Sequence, residues 1–312
     1  MLALIGLYAI FGLAFTVSKG VLDYAYPIFF VGIRMILAGI LLFGYHVLWK
    51  KQSLTLDKKY LSLFVQLAFF HVFITYVFEF WALEYVSAAK DALFFNLTPF
   101  VTALLSLFLS KEYLTKKQWC GLAIGFIGFL PMFFSQTSFE GLAPEYFAIS
   151  LPELLLIGAV SASAYGWIIM QRILHTSTYQ PVFINGMTML WGGLFSLIVA
   201  WRVEPAFLKY VSCATCNVHD LLMFAWYLGI LILLTNIISY NLYGSLLRRY
   251  SATFMALAGG MTPIFTALFD WLLLGEIITW HFVCTVILVF TGLIIFYSDE
   301  LKPTEITPLP PV

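Results

Sequence analysis

Six ionisable side chains stand inside stretches that are otherwise apolar: Lys19, Arg34, His71, Glu79, Asp91 and Asp270. A charged group in a lipid-embedded helix costs roughly 2.5–3.5 kcal/mol on insertion scales, so it marks a gate, a coupling site or a ligand contact. Lys19, Arg34, Glu79 and Asp91 share one depth, toward the external ends of their helices under the orientation deduced below, and Asp270 sits at a similar depth. Opposite charges at one depth suit an outer gate of ion pairs, or recognition of a zwitterionic substrate. For Lys19, snorkelling of a long aliphatic stem to the interface is the simpler reading. His71 lies nearer the midplane, where an imidazole either relays protons or stays neutral and hydrogen-bonded.

A second set is uncharged. Tyr76, Asn96, Ser163, Tyr165, Trp167, Asn236 and Tyr240 are the polar and aromatic side chains closest to the midplane. Amides and hydroxyls can hydrogen-bond a polar ligand, and the rings offer stacking and cation–π faces. Any one of them alone is more often a helix–helix contact. Together, at one depth, they predict the lining of a substrate cavity.

A membrane bundle must position these residues. Of 312 residues, 62% are hydrophobic, 18% aromatic and only 10% charged, with a mean hydropathy of +0.95. Soluble domains carry roughly 25% charged residues. The net charge is zero, which removes nucleic acid as a partner. About 20 apolar residues cross the hydrocarbon core. On that ruler the chain predicts ten spans, near 2–19, 28–49, 60–83, 88–110, 115–134, 153–173, 180–201, 220–245, 251–274 and 277–298. The N-terminus enters the first span with no basic leader. The tail 299–312 carries four prolines and is expected to be disordered.

The sequence repeats itself at an offset of 164. Eleven of the 26 residues from Ser87 to Glu112 recur from Ser251 to Glu276, among them Thr98-Pro99 as Thr262-Pro263 and Glu112 as Glu276. Tyr76 recurs as Tyr240 and Cys120 as Cys284. Earlier in each half, Pro27, Phe29, Gly32, Met35 and Gly39 are matched by Pro181, Phe183, Gly186, Met189 and Gly193. Spans one to five therefore correspond to six to ten. Five is odd, so the second copy must enter the membrane from the opposite side. The expected architecture is an all-α membrane protein of ten helices in two inverted five-helix repeats, 1–134 and 153–298, joined by an external linker 135–152. Secondary transporters are commonly built this way, with substrate bound where the repeats meet. Eleven basic residues fall in loops on one side and three (Lys90, Arg202 and Lys209) on the other, which predicts cytoplasmic termini.

Pro99 and Pro263, each preceded by Thr, are expected to kink their helices, either as gating hinges or as packing geometry alone. Cys213 and Cys216 lie in a predicted external loop, where a disulfide is plausible. With His219 they superficially suit zinc, but no fourth ligand lies near, and no cofactor or metal is expected. Phosphate loops, nucleophile elbows and paired catalytic carboxylates are absent from the sequence.

Ser251-Ala252 through Thr262-Pro263 to Gly275-Glu276, repeated as Ser87-Ala88 through Thr98-Pro99 to Lys111-Glu112, resembles the drug/metabolite transporter superfamily and specifically its EamA branch. Arg34 in the second span also fits. The resemblance covers about residues 1–298 and departs at Lys111, where the family usually has Gly. It implies alternating-access transport of small metabolites through a central cavity, by a monomer or homodimer in a bacterial inner membrane, with protons or a counter-substrate as coupling partner. Aromatic residues beside amides and carboxylates suit a flat ring joined to an amino-acid end. An amino acid fits, as does S-adenosylmethionine, which some EamA-type carriers exchange for S-adenosylhomocysteine. The alternatives are a membrane-embedded enzyme and a passive channel. An enzyme would need a convergent catalytic set, and His71 and Glu79, eight residues apart, share a helix face but not a site.

Overall fold

The structure, a computed structural model, describes residues 2–49, 56–110, 114–128, 150–204, 218–246, 255 and 258–298. Every element among them is helical. In chain order they are α1 (Leu2–Val21), α2 (Pro27–Trp49), α3 (Lys58–Leu83), α4 (Ala88–Phe95), α5 (Thr98–Ser110), α6 (Lys116–Gly128), α7 (Leu151–Thr176), α8 (Pro181–Val203), α9 (Val218–Leu246), α10 (Thr262–Leu274) and α11 (Trp280–Tyr297). Seven of these, α1, α2, α3, α7, α8, α9 and α11, are long and apolar enough to cross a membrane. Their outward side chains, such as Leu48, Leu194, Leu233 and Ile287, are large, apolar and exposed. In water such a surface would be unfavourable; against lipid tails it costs nothing. Cys213, Cys216, the stretch 135–149 and the tail 299–312 lie outside the described residues.

The predicted span 88–110 is not one helix. Asn96 and Leu97 form a tight turn, their amides bonded to the carbonyls of Leu93 and Phe94 at 3.0 and 2.9 Å, and α5 begins afresh at Thr98. The second half repeats the break. Met261 N–H donates to the Ala258 carbonyl at 3.1 Å and α10 starts at Thr262. Pro99 and Pro263 thus occupy the first turn of a new helix, where a missing N–H removes no bond. The expected kinks take the form of interruptions ahead of each proline.

Helix starts are dictated locally. Pro27 and Pro181 open α2 and α8. Ser87 caps α4 by accepting from Lys90 N–H at 3.2 Å, and Ser150 with Glu153 forms a capping box that starts α7. Two further caps come from distant segments. Glu204, just past α8, accepts from the amides of Ile28 and Phe29 at 2.7 and 2.8 Å, and Asp270 of α10 accepts from Ala89 N–H at 2.8 Å.

Helices at matching positions of the two halves pack against each other: α2 on α8 and α6 on α11. Glycines make the first contact close and reciprocal. A Cβ on Gly193 would meet the Gly32 carbonyl at 2.9 Å, and a Cβ on Gly39 would meet the Gly186 carbonyl at 2.9 Å. Rising numbers on α2 thus meet falling numbers on α8, so the pair is antiparallel. In the second contact a Cβ on Gly292 would meet Gly125 N at 2.6 Å and the Gly121 carbonyl at 2.7 Å. Such small-residue seams let backbones approach where no hydrophobic force draws helices together.

Candidate functional site: a central cavity beneath an acidic vestibule

Two widened turns set the register of the site. Leu67–Ile74 within α3 and Ile232–Ser239 within α9 are π-helical, and the two segments are repeat equivalents within one residue. In each, a hydroxyl satisfies a carbonyl five residues back: Thr75 Oγ1 to Phe70 at 2.9 Å and Ser239 Oγ to Leu234 at 2.8 Å. Thr75 and Ser239 are themselves 164 apart. The extra residue in each turn rotates the helix face beyond it, and the next residues, Tyr76 and Tyr240, meet with their hydroxyls hydrogen-bonded. π-turns are rare and concentrate at functional sites.

Around that pair lies a cavity of about 170 Å³. Its aromatic lining includes Trp167, Tyr240 and Tyr243, with Phe11 packed edge-on against the two tyrosines, and Phe15. Trp167 stacks on Tyr240 at 5.9 Å between centroids and lies 4.4 Å from Tyr243. The two helix breaks close another side: Asn96, Thr98 and Pro99 from one half, with Gly259 and Thr262 from the other. Asn96 Nδ2 reaches the Gly260 carbonyl at 3.5 Å.

Two charged residues also line this cavity, Arg34 of α2 and Glu79 of α3. The Arg34 side chain is almost wholly buried, with its Nε and Nη2 lacking any hydrogen-bond partner. It lies 4.8 Å from the rings of Tyr76 and Phe80 and 5.7 Å from Phe30. Cation–π contact holds the guanidinium without using its donors. The fork thus remains available to a planar anion.

A larger recess of about 610 Å³ opens at the end of the bundle formed by the 22–26, 84–87 and 275–279 turns. Lys19, Asp23, Glu84, Lys90, Asp270 and Glu276 line it. Lys19 is not a free charge: its Nζ donates to the carbonyls of Leu83, Glu84 and Val86 at 2.6, 3.2 and 2.9 Å, closing the end of α3. Lys90 pairs with Glu153 at 3.0 Å, both nearly sealed from solvent, which joins α4 to α7. Glu276 sits in the turn after α10, where partial burial raises its carboxyl above the usual range while Lys19 opposes the shift.

A family profile, that of the EamA-like transporter family, matches residues 1–134 and 150–298. The chain belongs to the EamA-like transporter family. Its membership makes it a multi-pass membrane transporter, in accord with the seven spanning helices. Among curated proteins, this transporter is 31% identical over 295 residues to the "S-adenosylmethionine/S-adenosylhomocysteine transporter" of Chlamydia trachomatis, covering 93% of this chain and 86% of that one. The protein of the same name from Chlamydia muridarum is 30% identical, with 93% and 88% covered. A solved crystal structure aligns over 96% of both chains with a TM-score of 0.63 at 17% identity, a likeness of fold.

Of the seven residues expected to line the cavity, Tyr76, Asn96, Ser163, Trp167 and Tyr240 do. Asn236 and Tyr165 do not. Asn236 is fully buried within the π-turn of α9, its amide on the sulfurs of Met35 and Met189 at 3.3 and 3.6 Å. Tyr165 turns away, donating to Gln66 Oε1 at 2.6 Å with its ring against Phe70. The expected ion-pair gate is not formed among the described residues: Lys19, Arg34, Glu79 and Asp91 make no direct salt bridge with one another, Lys19 being held by backbone carbonyls and Arg34 by aromatic rings. His71 sits behind the aromatic wall, 4.5 Å from the Trp167 ring, and neither ring nitrogen makes a hydrogen bond among the described residues. Sequence reading missed Tyr8, Phe11 and Tyr243. For Tyr243 the signal was its place one turn after Tyr240.

Proposed function

We propose that this transporter exchanges a nucleoside–amino-acid conjugate of the S-adenosylmethionine class for its neutral demethylated counterpart by alternating access. One observation carries the reading: a single cavity offers an unpaired guanidinium and a carboxylate beside stacked aromatic rings. Arg34 would hold the substrate carboxylate in a bidentate pair, Glu79 would face the ammonium and sulfonium, and Trp167 with Tyr240 and Tyr243 would take the base. The names of the chlamydial relatives point to the same substrate. Pro99 and Pro263 open half-helices at the cavity, the discontinuous-helix arrangement used by many carriers.

The reciprocal glycine contacts, the Tyr76–Tyr240 pair and the matched breaks support a ten-span inverted repeat, and the excess of basic residues supports cytoplasmic termini in a plasma membrane. At about 170 Å³ the cavity is smaller than the roughly 300–1,000 Å³ that encloses a drug-sized ligand. A rocking cycle supplies the wider state. The test is thermal stabilisation of the purified protein by S-adenosylmethionine, S-adenosylhomocysteine, adenosine and free amino acids, followed by counterflow in proteoliposomes. Stabilisation and counterflow by the first two alone support the reading, and a response to free amino acids only would replace it.

A further inference from the structure

Asp91 is the one carboxylate among the described residues that is fully buried with neither oxygen hydrogen-bonded. It lies in the wall between the two recesses. Its neighbours Ala89 and Lys90 line the vestibule, and Ala92 lines the central cavity. The charges that act on it are Glu79 of α3 on the cavity side, and Lys19 of α1 and Asp270 of α10 on the vestibule side. Lys19 is held by three carbonyls. The other charges on the surrounding elements are Asp23, Glu84 and Glu276 on the vestibule, the Lys90–Glu153 pair toward α7, and Arg34 of α2. Among the charges that act on it, Lys19 is the one cation, set against two acids and with its donors spent on carbonyls, so no hydrogen bond reaches either oxygen of Asp91. A bare carboxylate in such a place is untenable unless it carries a proton.

We propose that Asp91 carries an exchangeable proton between vestibule and central cavity, and that this proton moves against the cationic substrate. The inference rests on the exchange reading above and adds its charge balance. S-adenosylmethionine has one net positive charge and its demethylated product has none. When the cation enters beside Glu79, the O–H bond of Asp91 breaks and the proton leaves by way of Asp270 to vestibule water. The carboxylate so formed balances the sulfonium. When the neutral product enters the cavity from the opposite side of the membrane, Asp91 takes a proton from the water on that side, and the proton is carried across with the product. One cation in, against one neutral molecule and one proton out, makes the cycle electroneutral.

The experiment adds each ligand to purified protein in weak buffer with a pH-sensitive dye, with binding followed separately by thermal shift. S-adenosylmethionine is expected to release about one proton per site and S-adenosylhomocysteine none. In proteoliposomes, exchange is expected to respond to a pH gradient and not to membrane potential. Asp91→Asn, uncharged like the protonated acid, is expected to bind S-adenosylhomocysteine but release no proton with either ligand. Binding of S-adenosylmethionine without proton release in the wild type overturns the proposal and leaves the transport reading standing. So does release abolished by Glu79→Gln but retained in Asp91→Asn. Binding of neither ligand overturns both. The wild-type measurement decides the matter even where a variant fails to fold.

Discussion

Replacing Arg34 by Gln removes the one unpaired guanidinium that, among the described residues, lines the cavity. The replacement keeps a planar polar tip but no charge. A hydrogen bond to a charged group contributes about 1.5–3 kcal/mol, and each 1.4 kcal/mol is about a factor of ten. Binding of S-adenosylhomocysteine should therefore weaken roughly 10- to 150-fold. Arg34→Lys keeps the charge without the fork and should fall between. Arg34→Gln also loses cation–π contact with Tyr76, Phe80 and Phe30, about 0.5–2 kcal/mol each, so some loss of stability is expected whatever Arg34 does for the substrate. A ligand without a carboxylate separates the two effects. 5′-Methylthioadenosine should bind Arg34→Gln as it binds the wild type in calorimetric titration. Equal weakening of both ligands would refute the reasoning and leave Arg34 as a support of the aromatic box.

Trp167→Ala should cost about 1–3 kcal/mol of base stacking and weaken adenosine and the full substrate alike, read in the same titration. Asn236→Ala and Tyr165→Phe should leave affinity unchanged while lowering stability by about 1 kcal/mol each, seen as a shift in thermal unfolding. Gly292→Leu places a side chain against the Gly125 and Gly121 backbone and should cost at least the roughly 1–3 kcal/mol of overpacking, seen as loss of monodisperse protein. Gly6→Ala, where nothing lies within 4 Å, is its control. Lys19→Met leaves three carbonyls without a donor and should lower the unfolding temperature without changing affinity for S-adenosylhomocysteine.

Position along each helix was legible in the sequence because it follows from counting residues along apolar runs. Direction around each helix was less so. The widened turns in α3 and α9 carry no compositional mark, yet they rotate everything beyond them, which is why Tyr76 and Tyr240 meet while Asn236 is drawn into the packing. The repeat could be read because side-chain identities survive at fixed spacing. The breaks before Pro99 and Pro263 were read as bends, since a proline pattern does not distinguish a kinked helix from the first turn of a new one. The sequence suggests snorkelling to the interface for Lys19 and a charged gate for Arg34, and neither reading names the partner each has. Only the surroundings separate them: carbonyls at a helix end in one case, aromatic rings in the other.

The caps from Glu204 to α2 and from Asp270 to α4 have a mechanical consequence. Both lie at the vestibule end, and both tie a helix start of the first half to a carboxylate of the second. At the opposite end the starts of α3 and α8 are not stitched this way: Asp57 caps its own helix, and Tyr60 and Tyr179 make the cross-links through neutral hydroxyls. One mouth of the bundle is thus laced by charge and the other by phenols. Acid should loosen the carboxylate cross-links between the halves at the first and leave the phenol cross-links at the second intact, so a pH change on one face of the membrane acts on the lacing of one mouth.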